Sequence, residues 1–150
     1  MDTDLAKQRL RLWLHMLKSV RHVESALRDR LRAAYDMTLP RFDVMAMLDR
    51  MPEGVNLSRL SEGLMISNGN VTGIVTRLVA DGLVERVAVE GDRRATSARL
   101  TAEGKSLMSR MAADHLLWIN ELLGPLDEAD TVRAIAIMIE LRAARRAEEI

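Results

Sequence analysis

The chain has 150 residues, with 22 Lys plus Arg against 22 Asp plus Glu and no cysteine. That length suits one domain with a respectable core, and the missing thiols exclude disulfides, thiol redox sensing and thiolate metal sites. The balanced charge excludes a general basic field, so a polyanionic partner would have to be met by locally placed arginines.

From Leu5 to about Tyr35 there is neither Gly nor Pro, and Leu10, Trp13, Leu14, Leu17, Val20, Leu27 and Leu31 recur at helical spacing. This pattern predicts one long amphipathic helix. Pro40 suits the first turn of a second helix that buries Phe42, Met45 and Leu48 and stops at MPEG, Met51–Gly54. In NLSRLSEGLMIS, Asn56 is a plausible cap, and Leu57, Leu60 and Leu64 form an apolar stripe. Ser67 caps the next helix, ISNGNVTGIVTRLV, whose core face is Val71, Ile74, Val75 and Leu78 and whose C-terminal glycine is Gly82.

The period then changes from helical to alternating. LVERVAV, Leu83–Val89, and ATSARL, Ala95–Leu100, read as two strands around the charged turn EGDRR. Thr101 with Gly104 opens another long helix through Leu107, Met111, His115 or Leu116, Trp118 and Leu122, and Gly124-Pro125 ends it. Asp127 caps a last helix carrying Val132, Ile135, Ile139 and Arg142. No run approaches the roughly 20 apolar residues of a membrane span, and MDTDLAKQR lacks a signal-peptide core. A soluble cytoplasmic protein with no membrane partner is expected.

The expected fold is therefore mainly α with a small β-hairpin wing. Residues 37–101 form a winged helix–turn–helix, and 1–36 and 102–150 supply long helices, all within one domain, 1–150. Long terminal helices on so small a chain cannot bury all their apolar faces on one core. They are natural dimerisation elements, and two-fold symmetry would give two DNA-reading heads.

The segment VTRLVADGLVERVAVEGDRRATSARLTAEG, Val75–Gly104, resembles the MarR family (multiple-antibiotic-resistance regulator) of winged-helix transcription factors. The likeness lies in the end of the recognition helix, the GLVER strand, the DRR wing and the LTxxG entry to the fifth helix, and it extends over nearly the whole chain. The resemblance implies a homodimeric repressor of transcription, released from double-stranded operator DNA by a small ligand. The family's redox branch needs a sensing cysteine, which this chain lacks.

Stepping 100° per residue from Val71 places Gly69, Gly73 and Thr76 opposite the core, flanked by Asn70, Thr72 and Arg77. Two glycines cost a helix roughly 1 kcal/mol each against alanine. A helix in the major groove needs side chains that reach base edges and no bulk that keeps the backbone away. Ser67 and Asn68 at its start suit a phosphate. The alternative is a surface helix on a winged helix that docks proteins rather than DNA.

Alone, Asp92-Arg93-Arg94 reads as a solvated hairpin tip; beside a recognition helix, an arginine there can enter the minor groove. By resemblance Arg94 is the probe and Asp92 holds the wing arginines. Arg86 and Arg99 are expected to meet phosphate or a partner within the wing, and for Arg99 a purely structural pair is an equal alternative.

His15 and His22 are seven residues apart, about 10 Å along a helix and too far for one metal. No metal or cofactor is expected. Nothing resembles a nucleophile elbow, phosphate loop or paired-carboxylate site, so no enzyme is expected. By resemblance, an effector pocket lies among the first, second and fifth helices, with Trp13, His15, Met16, Phe42, Met45 and His115 as candidates; core packing is the competing role for each. SNGNVTGIVTRL resembles the branch of the family controlling aromatic-acid catabolism, which implies an aromatic carboxylate or aromatic acyl-CoA effector. Arg11, Lys18 and Arg21 could greet its carboxylate or phosphate, or simply form a solvated face.

Overall fold

Thirty-three residues without Gly or Pro build α1 (Thr3–Tyr35). The structure, a computed structural model, describes residues 3–89 and 91–148, the side chains of residue 89 and of residues 92–95 and 145–148 excepted. Leu27 and Leu31 are the buried side chains of α1, so its packed part is the C-terminal half. Leu5, Leu10, Leu12, Trp13, Leu14 and Val20 are exposed.

Asp36 closes α1 in the left-handed region, with φ of 50°, and its N–H bonds back to the Arg32 carbonyl. Thr38 then caps α2 (Leu39–Asp49), with its hydroxyl accepting from the Arg41 N–H and Pro40 in the first turn, where a missing N–H costs nothing. Leu39, Phe42, Val44, Met45 and Leu48 are buried. Asn56, at the end of β1 (Val55–Asn56), caps α3 (Leu57–Leu64) by accepting from the Arg59 N–H at 2.9 Å. After the left-handed Met65 comes α4 (Asn68–Ala80), and α2, α3 and α4 pack on one another. Leu48, Leu60, Val71, Val75 and Leu78 lie at the centre of that core.

The wing holds β2 (Val84–Val89) and β3 (Asp92–Leu100), antiparallel, with Val84 opposite Leu100 and Arg86 opposite Ala98. Two details differ from the expected hairpin. The sheet has three strands in the order β1-β3-β2, because Gly54, at φ of 111°, turns the chain so that buried Val55 pairs with Ala98. The second wing strand also begins at Asp92 rather than Ala95, since Val89 pairs with Asp92 and the tip is tighter than EGDRR suggested.

The start of α5 (Ala102–Leu122) is fixed to the base of the wing by Thr101. Its N–H donates to the Leu83 carbonyl at 3.1 Å, its hydroxyl donates to the Gly82 carbonyl at 2.7 Å, and that hydroxyl accepts from the Gly104 N–H at 3.0 Å. A Cβ on Gly104 would stand 2.0 Å from the Leu83 carbonyl oxygen. Gly104→Ala must therefore separate α5 from the wing base, and it is expected to cost about 3 kcal/mol, at the upper end for overpacking. Urea unfolding tests this; an unchanged midpoint would contradict the packing described.

Residues 1–116 and 117–150 form two units. In the second, Asp127 caps α6 (Glu128–Glu148) by accepting from the Asp130 N–H at 2.8 Å, as expected. Val132, Ile135, Ile137, Ile139 and Leu141 of α6 are exposed. No helix among the described residues is long and apolar enough to cross a membrane.

Candidate nucleic-acid interface

The ends of α4 are set by its sequence. The Ser67 hydroxyl accepts from the Asn70 N–H at 3.2 Å, leaving the first-turn N–H groups of Asn68 and Gly69 for another acceptor. At the other end Gly82, at φ of 74°, lets its own N–H reach the Val79 carbonyl and that of Leu83 reach the Leu78 carbonyl. Val71, Val75 and Leu78 are fully buried, whereas Ile74, expected in the same core face, is only half-buried and lines a cleft.

Gly69, Asn70, Thr72, Gly73, Thr76 and Arg77 are all exposed. A Cβ on Gly69 or Gly73 would meet nothing within 4 Å. The contrast with Gly104, and with Gly63, where a Cβ would lie 2.5 Å from the Met47 methyl, is informative. Packing demands a glycine at the start of α5, where the obstacle is backbone; at Gly63 the flexible end of Met47 could move aside, and on α4 there is no obstacle at all. Within the fold, nothing offsets the propensity lost at Gly69 and Gly73.

The threonine hydroxyls turn inward. Thr72 donates to the Asn68 carbonyl at 2.9 Å and Thr76 to the Thr72 carbonyl at 2.8 Å. With those protons used, each threonine has a methyl group suited to a thymine methyl and an oxygen that can only accept, as from the amino group of adenine or cytosine; that of Thr76 already accepts from Arg86. The Arg86 guanidinium donates to the Thr76 hydroxyl at 2.8 Å, so the partner it meets within the chain lies on α4 and not in the wing. Arg99 pairs with Glu85 across β2 and β3, the structural role of its two. The side chains of Asp92, Arg93 and Arg94 lie outside the described residues.

Beside the exposed face, a cleft of about 580 Å³ runs between α2 and α4, lined by Thr38, Pro40, Arg41, Ile66, Asn70, Gly73, Ile74 and Arg77. Arg41 was missed by sequence reasoning. The Thr38-x-Pro40 helix start was the available signal, because it fixes Arg41 in the first turn of α2, facing α4. Its Nε donates to the Thr38 hydroxyl at 3.1 Å and one terminal nitrogen to the Asp81 carboxylate at 3.3 Å. The same Asp81 oxygen accepts from Arg77 Nε at 3.3 Å.

Of the effector-pocket candidates, Phe42 and His115 meet, with ring centroids 4.8 Å apart, and burial lowers the His115 pKa. Met45 is buried one turn beyond Phe42. Trp13 and His15 are exposed and Met16 half-buried, about 17–21 Å along α1 from Leu27 at 1.5 Å per residue. Nearby, the Tyr35 hydroxyl donates to the Asp114 carboxylate, tying α1 to α5 and raising the Tyr35 pKa. Among the described residues no group of three or more His, Cys, Asp or Glu could hold a metal ion.

Asp43, on α2, is lifted from 3.8 to about 6, first by burial of its carboxyl and then by Glu24, against the opposing charge of Arg28. Between those values the folded chain keeps a proton that the unfolded chain has released, so this group's contribution falls as pH rises through the window. Asp43→Asn is expected to stabilise the protein at neutral pH and to change nothing below the window. Asp43 as a residue is exposed, and solvent screening limits the gain to about 1 kcal/mol or less. Thermal melts at both pH values test this, and an equal shift at each would contradict it.

Comparison with known proteins places this geometry in context. A family model described as MarR family matches residues 35–95. The chain is similar to the HTH-type transcriptional regulator PecS of Dickeya dadantii (strain 3937), at 30% identity over 112 residues, covering 73% of this chain and 68% of that protein. It superposes on a MarR family transcriptional regulator from Silicibacter pomeroyi with a TM-score of 0.82 and 31% identity, covering 96% of this chain and 99% of the other. A MarR family regulator from Streptomyces coelicolor, solved in complex with DNA, shares the fold at a TM-score of 0.81 and 19% identity, over 92% of this chain and 86% of that one. All three are transcriptional regulators, the class expected here in preference to an enzyme.

Proposed function

Because the chain belongs to the MarR family of winged-helix transcriptional regulators, we propose that it acts as a homodimeric repressor on a pseudo-palindromic operator. In this reading α4 enters the major groove with Gly69 and Gly73 at the centre of the contact, while Arg94, near the start of the second wing strand, enters the neighbouring minor groove. The observation that carries it is the bare face of α4: two glycines with open space beyond them, ringed by Asn70, Thr72, Thr76 and Arg77. A helix serving only its own stability has no use for that face. A winged helix that docks a protein instead would leave DNA alone. Gel shift with the DNA upstream of the protein's own gene separates the two readings: a saturable shift, resistant to random competitor, supports the operator reading, and none overturns it.

The dimer is supported by the exposed apolar side chains of α1, among them Leu10, Trp13 and Leu14, and of α6, among them Val132, Ile135 and Ile139. Left in water they would cost on the order of 25 cal/mol per Å² of apolar surface, which a second copy could cover. Light scattering at micromolar concentration is expected to give twice the chain mass.

The proposed effector is a small aromatic carboxylate or its coenzyme A thioester. Its class rests on the likeness of SNGNVTGIVTRL to the aromatic-acid branch, and the Phe42–His115 ring contact, where α2 meets α5, is in keeping with it. Binding there is expected to weaken operator affinity without splitting the dimer. One coupling free energy links the two events, typically about 1–3 kcal/mol, or roughly 5–150-fold. Saturating operator must therefore weaken effector affinity by the same factor, which calorimetric titration reads directly. Unchanged ligand affinity would refute the induction mechanism.

A further inference from the structure

The C-terminal residue of the recognition helix carries a charge that local physics disfavours. Asp81 is the C-cap of α4, where the helix dipole presents its negative end and a carboxylate is destabilising. It also stands beside the face proposed to meet polyanionic DNA, where a negative charge opposes binding. Both effects favour a neutral or basic residue, so the carboxylate requires a reason of its own.

The hydrogen bonds supply one. A single carboxylate oxygen of Asp81 accepts from Arg77 Nε, four residues earlier on α4, and from Arg41, across the cleft on α2. Arg41 is only 17% exposed and held on three sides, by Asp81, by the Thr38 hydroxyl and by the Asp36 carbonyl. It acts as an anchor. Arg77 is 68% exposed and spends only its Nε–H on the pair. Its two terminal nitrogens, with four N–H bonds, remain for an outside acceptor, and a guanidinium fork is suited to a phosphate. An unrestrained Arg77 would lose side-chain freedom on binding; one already held by Nε loses less.

We propose that Asp81 is a positioning residue, which uses the Arg41 anchor to hold the Arg77 guanidinium with its terminal nitrogens presented to the DNA backbone. The inference rests on the reading that the exposed face of α4 is the DNA surface. Asp81 would touch no DNA itself, and its negative charge would be outweighed by the ordering of Arg77.

The proposal predicts an effect opposite in sign to simple electrostatics. Removing a negative charge beside a phosphate ought to tighten binding. If Asp81 works by positioning, Asp81→Asn weakens operator binding instead, by roughly tenfold, the scale of one charge-assisted hydrogen bond. It also makes the dependence of log affinity on log salt shallower by up to about one phosphate-equivalent. Asp81→Glu, which keeps the carboxylate, restores part of both.

Fluorescence anisotropy with the protein's upstream DNA, over a series of salt concentrations, measures these quantities in a double-mutant cycle with Arg77→Ala. In the Arg77→Ala background the positioning role has no object, so adding Asp81→Asn is expected to leave affinity unchanged or to tighten it. Circular dichroism melts of each variant confirm a folded protein. An Asp81→Asn protein that binds at least as tightly as the parent overturns the proposal, as does equal weakening with and without Arg77, which marks a structural staple between α2 and α4. If Arg77→Ala alone leaves affinity and salt slope untouched, the placement of Arg77 in the DNA surface fails, and the proposal falls with it.

Discussion

A Gly73→Leu variant is expected to lose specific operator binding while folding at least as well as the parent. The position is exposed and a Cβ there meets nothing within 4 Å, so the added side chain starts into open space. Helix propensity improves by roughly 0.8 kcal/mol, which should raise the thermal midpoint slightly. In the proposed complex, however, the same space is occupied by base-pair edges, and a leucine there holds the backbone off the groove floor. Affinity is then expected to fall to the level for random DNA, a drop on the order of 10³-fold or more. Gly73→Ala adds one methyl and is expected to lie between the two. Anisotropy on operator and scrambled DNA reads the effect, and a Gly73→Leu protein with parental affinity would show that another face of α4 is used.

Inserting about five base pairs between the operator half-sites is expected to have an effect of similar size. Two heads related by a two-fold axis meet half-sites one helical turn apart, about 10–10.5 bp centre to centre. Half a turn more carries the second site to the far side of the duplex, where the second head cannot follow. What remains is one head and non-specific contacts, so tight binding is lost, while an insertion of a full turn restores part of it if the dimer can stretch. Binding indifferent to the insertion would exclude symmetric docking by a dimer.

Much of this fold was legible because its signals are local. The cap residues Asn56, Ser67 and Asp127 all fulfil the role their sequence context suggested, and the change of period after Gly82 does mark the wing. What escaped notice depends on contacts far apart in the chain. Val55–Asn56 is too short to alternate, and it becomes a strand only because β3 passes beside it. Arg86 carries no sign in its own strand that it reaches Thr76, ten residues earlier on another element.

The candidate site divides in the same way. The exposure of Gly69, Gly73, Thr76 and Arg77 followed from helical geometry alone. The meeting of Arg41 and Arg77 on Asp81 required the packing of α2 on α4, which periodicity does not specify. For the effector pocket, sequence spacing could select apolar and aromatic residues on three helices. It could not say that Phe42 and His115 touch, or that Trp13 and His15 are exposed on α1.

The central claim is that the bare face of α4 lies in the major groove, and methylation interference on the upstream DNA tests it most directly. Dimethyl sulfate places a methyl group on guanine N7, which lies in the major groove, and blocks a helix that sits deep there. The expected result is depletion of bound DNA methylated at guanines in two clusters, about one helical turn apart and related by the operator's symmetry. Interference confined to adenine N3 in the minor groove, or to ethylated phosphates with N7 methylation tolerated throughout, would contradict the account.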